Sequence, residues 1–412
     1  MNRVRDAAPP APIMPVGSKA SPRIVACCGH MVINGGLERM TYEILRGVNR
    51  GGGASHAVVN GWENFRITPE IEACGSTWSV GPYYYSLKRR GLTPIAVAKM
   101  VLEVARVSAD LIRVSRRFRP THIFVPDFVV VLRNAPALAW LRLRGVVVIL
   151  SLQNAPSPGR FYRHLWARVI NPLVDLLVAN SEFTRREHVA LGIPAAKIQT
   201  ITNVAPQRLL PAGTIDRIPG RVIFVGQIIP GKGVHLLLEA VALVRARGLD
   251  ATLDIVGDMD GWEAAEFAGY RASLRARVAQ PDLAGAATLL GQREDVPTLM
   301  RRASVHCCPG LPDLREAFGL VVLEAKWASI PSVVTMSGNL PDLVRHRVDG
   351  WACPRADAES IAEALEFFLR LPAADAAEAG RAARASVERY QPDVFDAAWS
   401  GVFSSSEKQR AV

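Results

Sequence analysis

A lysine set behind a glycine-rich turn is a phosphate ligand in waiting, and the chain carries one at position 232. From Gly226 to Lys232 the sequence reads Gly, four residues, Gly, Lys, which is most of a P-loop. An apolar strand (221–226), a Gly/Pro loop and an amphipathic helix (233–247) would place Lys232 and backbone N–H groups at a helix N-terminus, where an anion is favoured. A P-loop, however, continues with a Ser or Thr hydroxyl that holds Mg²⁺, and residue 233 is Gly. Three readings stand: a nucleoside triphosphatase, a plain structural turn, or a diphosphate site that needs no metal. Gly233 speaks against the first.

Paired carboxylates come next. In LREAFGLVVLEAKWASI (314–330), Glu316 and Glu324 have seven residues between them. On one continuous helix that spacing is ~12 Å of rise and ~80° of rotation, too far apart to share a proton. Such carboxylates could grip the hydroxyls at two ends of an extended ligand. The apolar company (Gly319, Leu320, Val321, Val322, Leu323) implies a mostly buried helix, where a carboxylate needs a hydroxyl or cationic partner. The bland alternative is a solvated glutamate face. A third motif, Asn34-Gly35-Gly36-Leu37-Glu38, lies between a strand and a helix, and adjacent glycines let backbone approach another group closely. An ordinary turn would look the same.

The elements that must position these residues alternate strand and helix in both halves. Strands are expected at 23–27, 122–126, 146–151 and 175–179, with a long helix at 94–118. A second helix is expected to follow Ser181 as its N-cap and to end near Gly192-Ile193-Pro194. The stretch 204–220 (VAPQRLLPAGTIDRIPG) has no periodicity and reads as a linker, its core at 206–220. Beyond it strands are expected at 221–226, 251–256, 286–290, 304–307 and 331–335, with helices at 233–247, about 263–278, 295–302 and 318–328. Strands spaced by helices imply parallel sheets, hence two doubly wound α/β domains, 21–205 and 221–390, facing a central cleft. The first 20 residues, rich in Pro and Ala without an apolar core, read as a disordered tail and not a signal peptide.

Composition bounds the partners. At 412 residues and 49% hydrophobic the chain can bury two cores of ~150–200 residues each. No apolar run reaches the ~18 residues a membrane span needs. The six cysteines form no CxxC or Cys/His pattern, consistent with reduced thiols in the cytoplasm. Charge is uneven: residues 1–206 hold 26 Lys+Arg against 12 Asp+Glu, the remainder 23 against 26. A half this basic suits an anionic surface. The runs PYYYSLKRRG (82–91) and RVSRRFR (113–119) would serve nucleic acid as well as lipid, but no recognised nucleic-acid module accompanies them. Asp258-Met259-Asp260 has the Asp-x-Asp form of a metal motif, and an Asp/Gly turn explains it equally. Asp127, in FVPDF, is a candidate acceptor-side base or a turn former.

Taken in order, GGLER (35–39), ANSEFTRREHVALGIPAAKIQTITN, FVGQIIPGKGVHLLLEAV, EAFGLVVLEAKWASIPSVVT and LPDLVRHRVDGW resemble glycosyltransferase family 4, with its group 1 domain. The resemblance covers roughly residues 22–400 and is tightest in the second half. It implies a GT-B fold and a retaining, metal-independent hexosyltransferase using a UDP- or GDP-sugar as co-substrate, with no cofactor. It further implies that Lys232 and Gly36, beside Gly35, meet the donor diphosphate. Glu324 would bind ribose hydroxyls, and Glu316 would face the donor sugar. Phe318, Gly319, Leu320 and Val321 would lie against diphosphate and sugar. A last helix within 391–412 would pack back on the first domain. The acceptor would be a saccharide, lipid-linked or polymeric, placing the enzyme in the cytoplasm and peripherally at the inner face of the membrane. The other reading within this fold is a nucleotide-sugar epimerase or hydrolase, or an inactive binding homologue. The chain departs from the family where Gln227, on the donor-binding loop, stands in place of a frequent cation towards the diphosphate, where Gln153 and Asn154 stand in place of a His common near the donor sugar, and where Val204 follows Asn203 in place of Gly.

Overall fold

The computed structural model describes residues 21–31, 35–62, 64–83, 93–204, 216–259 and 267–408. The tail at 1–20, Asn34, most of the 82–91 run, 205–215 of the linker, Asp260 and the first residues of the 263–278 helix lie outside them. The chain divides into two compact units, 1–203 with 393–412 and 204–392.

Among its described residues the first unit holds seven strands: β1 (Arg23–Cys28), β2 (Ala54–Val59), β3 (Thr77–Val80), β4 (His122–Val125), β5 (Val147–Leu152), β6 (Leu176–Ala179) and β7 (Ile198–Thr200). They form one sheet in the order β3-β2-β1-β4-β5-β6-β7, and every pairing is parallel. A parallel sheet covered by helices buries both faces, so its central strands read as unbroken apolar runs. All six residues of β5, VVILSL, are buried accordingly. The order reverses between β1 and β4. In an open α/β sheet that reversal opens a crevice at the carboxyl ends of the strands, the usual place for a ligand.

The Pro94–Phe118 helix starts where Thr93 Oγ1 accepts from the Ala96 amide (3.2 Å) with proline in the first turn. It stops at Arg119, in the left-handed region (φ 52°). Ser181 caps the Glu182–Ala190 helix by accepting from the Thr184 amide at 3.1 Å. The C-terminal Pro392–Lys408 helix belongs to this unit too. Its Trp399 packs edge-on to Phe124 (ring centroids 5.8 Å) and Phe403 to His122 (5.3 Å), while Asp396 pairs with Arg50 at 2.7 Å.

The second unit repeats the architecture, with six strands among its described residues: β8 (Arg221–Val225), β9 (Thr252–Val256), β10 (Ala287–Gly291), β11 (Val305–Cys308), β12 (Ser332–Thr335) and β13 (Gly350–Cys353). Their order is β10-β9-β8-β11-β12-β13, again wholly parallel, and it reverses between β8 and β11. The fold is thus two Rossmann-like, doubly wound parallel-sheet units. A fully buried ion pair, Lys326 Nζ to Asp349 Oδ1 at 2.9 Å, ties the Leu320–Trp327 helix to the turn before β13. Arg345 reaches the other Asp349 oxygen at 2.9 Å, so no charge in the group lacks an opposite. All six cysteines are buried and unbridged.

Candidate active site

The two reversal points organise the motifs. In the second unit, the loop leaving β8 is 226–233 and the loop leaving β11 is 309–319. The suspected phosphate ligand and the suspected sugar-facing carboxylate therefore flank one crevice.

Lys232 closes a 3₁₀ turn, Pro230–Lys232, and the Val234–Ala246 helix begins directly after Gly233. Gly233 is left-handed (φ +70°), and a Cβ there would lie 2.0 Å from the Pro309 carbonyl oxygen. A side chain at 233 meets both backbone strain and a wall, so a hydroxyl of the P-loop kind has no room. The helix start is also less open to an anion than the sequence implied, because the His235 amide already donates to Tyr270 Oη at 3.3 Å.

The β11 loop decides the conditional spacing of the two glutamates. Glu316 is not on the helix that carries Glu324, in keeping with the 318–328 range expected for that helix. A 3₁₀ turn at Pro312–Leu314 is followed by left-handed Arg315 (φ 51°), and the helix starts only at Leu320 after left-handed Gly319 (φ 97°). The helical spacing expected between the two glutamates therefore does not exist. The loop conformation brings Glu316 to Lys232 instead: Lys232 Nζ donates to Glu316 Oε2 at 2.5 Å. Both side chains are largely buried. Burial pulls the Lys232 ammonium towards neutrality, but the carboxylate of Glu316, aided by Cys308, more than offsets it and the pKa rises. Lys232 is accordingly cationic at any physiological pH.

What holds Glu316 in place is not legible in the motifs. The loop after β12 clamps it. Ser337 Oγ donates to the Leu311 carbonyl (2.8 Å) and accepts from the Glu316 amide (3.4 Å). The Asn339 amide donates to the Glu316 carbonyl (2.8 Å), and Asn339 Nδ2 to the Phe318 carbonyl (3.1 Å). Gly338 between them is left-handed, and its Cβ would lie 2.1 Å from Glu316 O. Thr335 also bonds the Gly310 carbonyl, and Leu311 N donates to Gly231 O at 2.8 Å, joining the β8 and β11 loops. The available signal was a Gly between two small polar residues just past an apolar strand.

The remaining candidates divide. Glu324 is half-buried on the Leu320–Trp327 helix, and Leu320 and Val321 are half-buried at its start. Phe318 is buried and packs on Tyr390 (6.0 Å, edge-on), so its ring is core and only its backbone borders the loop. Gly319 sits where a Cβ would meet Leu340 at 2.6 Å. Gln227 is exposed at the head of its loop. Asp258 is exposed, and among the described residues no His/Cys/Asp/Glu group could hold a metal ion.

In the first unit, Gly35 and Gly36 open the Gly36–Arg50 helix after β1. The Gly35 amide is taken by its own helix, donating to Glu38 Oε2 at 3.2 Å. Glu38 is buried, which pushes its carboxyl up to about 7 against the opposing pull of backbone N–H bonds. Asp127, just past the end of β4, acts as the N-cap of Phe128–Arg133, accepting from the Val129 amide at 2.7 Å. His30, just past β1, faces the same reversal point, and its Nδ1 finds no hydrogen-bond partner among the described residues. Burial, with Asp127 opposing and Arg133 assisting, holds this imidazole neutral. One departure noted in sequence, Gln153, meets the residue just before another: Gln153 Oε1 accepts from Asn203 Nδ2 (3.0 Å) and from Asn180 Nδ2 (3.3 Å). They lace together the loops after β5, β6 and β7.

Residues 213–386 match the family described as Glycosyl transferases group 1, and residues 34–205 that described as Glycosyltransferase Family 4. A phosphatidyl-myo-inositol mannosyltransferase of Mycolicibacterium smegmatis (strain ATCC 700084 / mc(2)155) is 30% identical over 332 residues, 77% of this chain and 76% of its own. The chain belongs to the family 4, group 1 glycosyltransferases. Another relative is the amylovoran biosynthesis glycosyltransferase AmsK of Erwinia amylovora, 27% identical over 221 residues. The chain spans only about half the length of that relative, 52%. Among solved structures, Anabaena Alr3699/HepE in complex with UDP-glucose superposes with a TM-score of 0.75 at 18% identity, covering 93% of this chain and 99% of that one. At that identity the likeness establishes the fold, which is GT-B.

Proposed function

We propose that the chain is a retaining, metal-independent hexosyltransferase that moves a sugar from a UDP- or GDP-sugar to a lipid-linked saccharide or polysaccharide acceptor. The observation that carries this is the buried Lys232–Glu316 pair at the reversal point of the second sheet. A cation kept charged in a partly dry crevice is a ready partner for a diphosphate, and the leaving diphosphate gains negative charge as the glycosidic bond breaks. Stabilisation aimed where charge develops is the strongest lever such a site has. Lys232 supplies it here in place of a metal, with amides of the Leu320–Trp327 helix start assisting. On donor binding Lys232 exchanges Glu316 for phosphate oxygens, and the released carboxylate turns to the donor sugar. Glu324 takes the ribose hydroxyls.

The relatives support the donor class. Anabaena HepE is described in complex with UDP and glucose, and the M. smegmatis relative is named a mannosyltransferase. The amylovoran relative, and a putative colanic acid biosynthesis glycosyltransferase of Escherichia coli (strain K12), point to cell-surface polysaccharide acceptors. Slow donor hydrolysis without acceptor, followed by proton NMR before the released sugar mutarotates, tests mechanism directly. The α-anomer should appear first from an α-linked donor, at the same rate in EDTA. The β-anomer, or a rate that needs Mg²⁺, would contradict the proposal.

A further inference from the structure

We infer that Arg271 is a positioning residue for the donor diphosphate, a fixed positive charge held dry behind the 226–233 loop. It stands in the first turn of the Ala268–Val278 helix, which follows β9. β9 lies beside β8 in the sheet, so this turn reaches the loop that leaves β8. Arg271 Nε donates to the Ile228 carbonyl at 3.3 Å, and its neighbour Tyr270 accepts from the His235 amide at 3.3 Å. One turn of helix thus braces the loop on both sides of Lys232. The loop is closely seated as well: a Cβ on Gly257 would lie 2.1 Å from the Gly226 carbonyl oxygen and 2.8 Å from the Ile228 side chain.

The charge of Arg271 is the anomaly. Among the described residues only two Lys or Arg are buried, Lys326 at 1% exposed and Arg271 at 4%. Lys326 has the Asp349 carboxylate at 2.9 Å. Arg271 has no ion-pair partner among the described residues, and its buried Nη1 has no hydrogen-bond partner either. Holding the Ile228 carbonyl does not explain a guanidinium, since a neutral amide donor would serve. Burying an unpaired charge is expensive, and the expense is offset where a bound ligand brings the opposite charge. Lys232 cannot be what the ligand finds unpaired, because Glu316 already sits 2.5 Å from it. Gln227, exposed beside Ile228, is neutral.

The charge acts through the loop and not by touching the ligand. Nη1 is shut off from solvent, so phosphate oxygens meet Lys232 and the loop while Arg271 sets the potential from behind them. A charge buried in protein acts on a nearby anion several-fold more strongly than one in water, and salt screens it little. A diphosphate carries two negative charges. One is met when Lys232 exchanges Glu316 for phosphate, and the other is met by Arg271, a cation supplied by a different element from the one that carries Gln227. The inference deepens the reading of a nucleoside-diphosphate sugar as donor and rests on it.

The test is isothermal titration calorimetry of the full chain with UDP, GDP and ADP, and with the corresponding free nucleosides. The variants are Arg271→Gln, Arg271→Lys, and Arg271→Gln combined with Gln227→Arg. Arg271→Gln keeps an amide donor for the Ile228 carbonyl and removes the charge. It should bind the diphosphate that the parent prefers roughly tenfold more weakly, while the matching nucleoside changes by less than about twofold. Arg271→Lys keeps the charge and should stay within about threefold of the parent. Adding Gln227→Arg to Arg271→Gln should recover most of the loss, because the cation returns on the other side of Ile228. Arg271→Met, an apolar chain of similar length, repeats the comparison should the glutamine variant not fold. Diphosphate affinity unchanged on loss of the charge, or diphosphate and nucleoside weakened equally, would overturn the inference. So would failure of both neutral variants to fold, since Arg271 would then be a structural prop. A parent that binds none of the three diphosphates would instead sink the donor reading itself, and this inference with it.

Discussion

At the scale of single residues, burial decides which charges persist. Lys232 stays cationic because Glu316 sits 2.5 Å away, and removing that carboxylate leaves an ammonium in a partly dry pocket. Glu38 is the opposite case, an acid whose burial outweighs its hydrogen bond to Gly35. Its pKa rises from an ordinary 4.5 to about 7, so the native state holds the proton more tightly than the unfolded chain. The stability this contributes is full below pH 4.5 and is lost as pH rises through about 7. The loss is of order 2–3 kcal/mol for a shift of this size. Glu38→Gln keeps an oxygen for the Gly35 amide and removes the charge. Urea unfolding at pH 5 and pH 8 should show the parent losing stability across that window and the variant losing little of it. An identical decline in both would show that Glu38 is not the titrating group.

At the scale of elements, glycines in the left-handed region fix the site's loops. Gly233→Ser should cost at least about 2–3 kcal/mol, from the strained backbone and the Pro309 carbonyl in the way. It should not create Mg²⁺-dependent ATP binding, and a denaturant melt with an ATP titration checks both. A Gly233→Ser variant as stable as the parent that binds Mg–ATP would return the loop to the P-loops. Much of this scale is legible in the sequence. Thr93, Pro94 and the Arg-rich end bound the 94–118 helix correctly, and the strands flanking each motif fall within a residue or so of their expected places, because unbroken apolar runs mark buried parallel strands. Four strands do not announce themselves. β2 (ASHAVV) mixes Ser and His into its run, β3 (TWSV) is a partly exposed edge, β7 is three residues long, and β13 begins with Gly. The helix range expected from the sequence, 318–328, already leaves Glu316 outside, but nothing in AFG signals left-handed Gly319, so the break between the two glutamates is not legible. The Ser337–Asn339 clamp depends on contacts 21 to 26 residues away in sequence, which no local pattern encodes.

At the scale of the whole molecule, two units of one architecture carry different charge. The first 206 residues hold the basic excess, and the remainder has 26 acidic against 23 basic residues. The Pro392–Lys408 helix returns the chain to the first unit, where Trp399 and Phe403 seal the sheet, so that unit is built from both ends of the sequence. The central claim is that the second unit's crevice binds a sugar nucleotide through Lys232. The most direct test is thermal stabilisation by a panel of UDP-, GDP- and ADP-sugars and ATP, each with Mg²⁺ and with EDTA, on the parent and on Lys232→Ala. Ligand at ~100 times its dissociation constant adds ~2.7 kcal/mol, several degrees. The account predicts a shift with one diphosphate-sugar that persists in EDTA and vanishes in Lys232→Ala. A shift with ATP and Mg²⁺ alone, or a sugar-nucleotide shift untouched by Lys232→Ala, would contradict it.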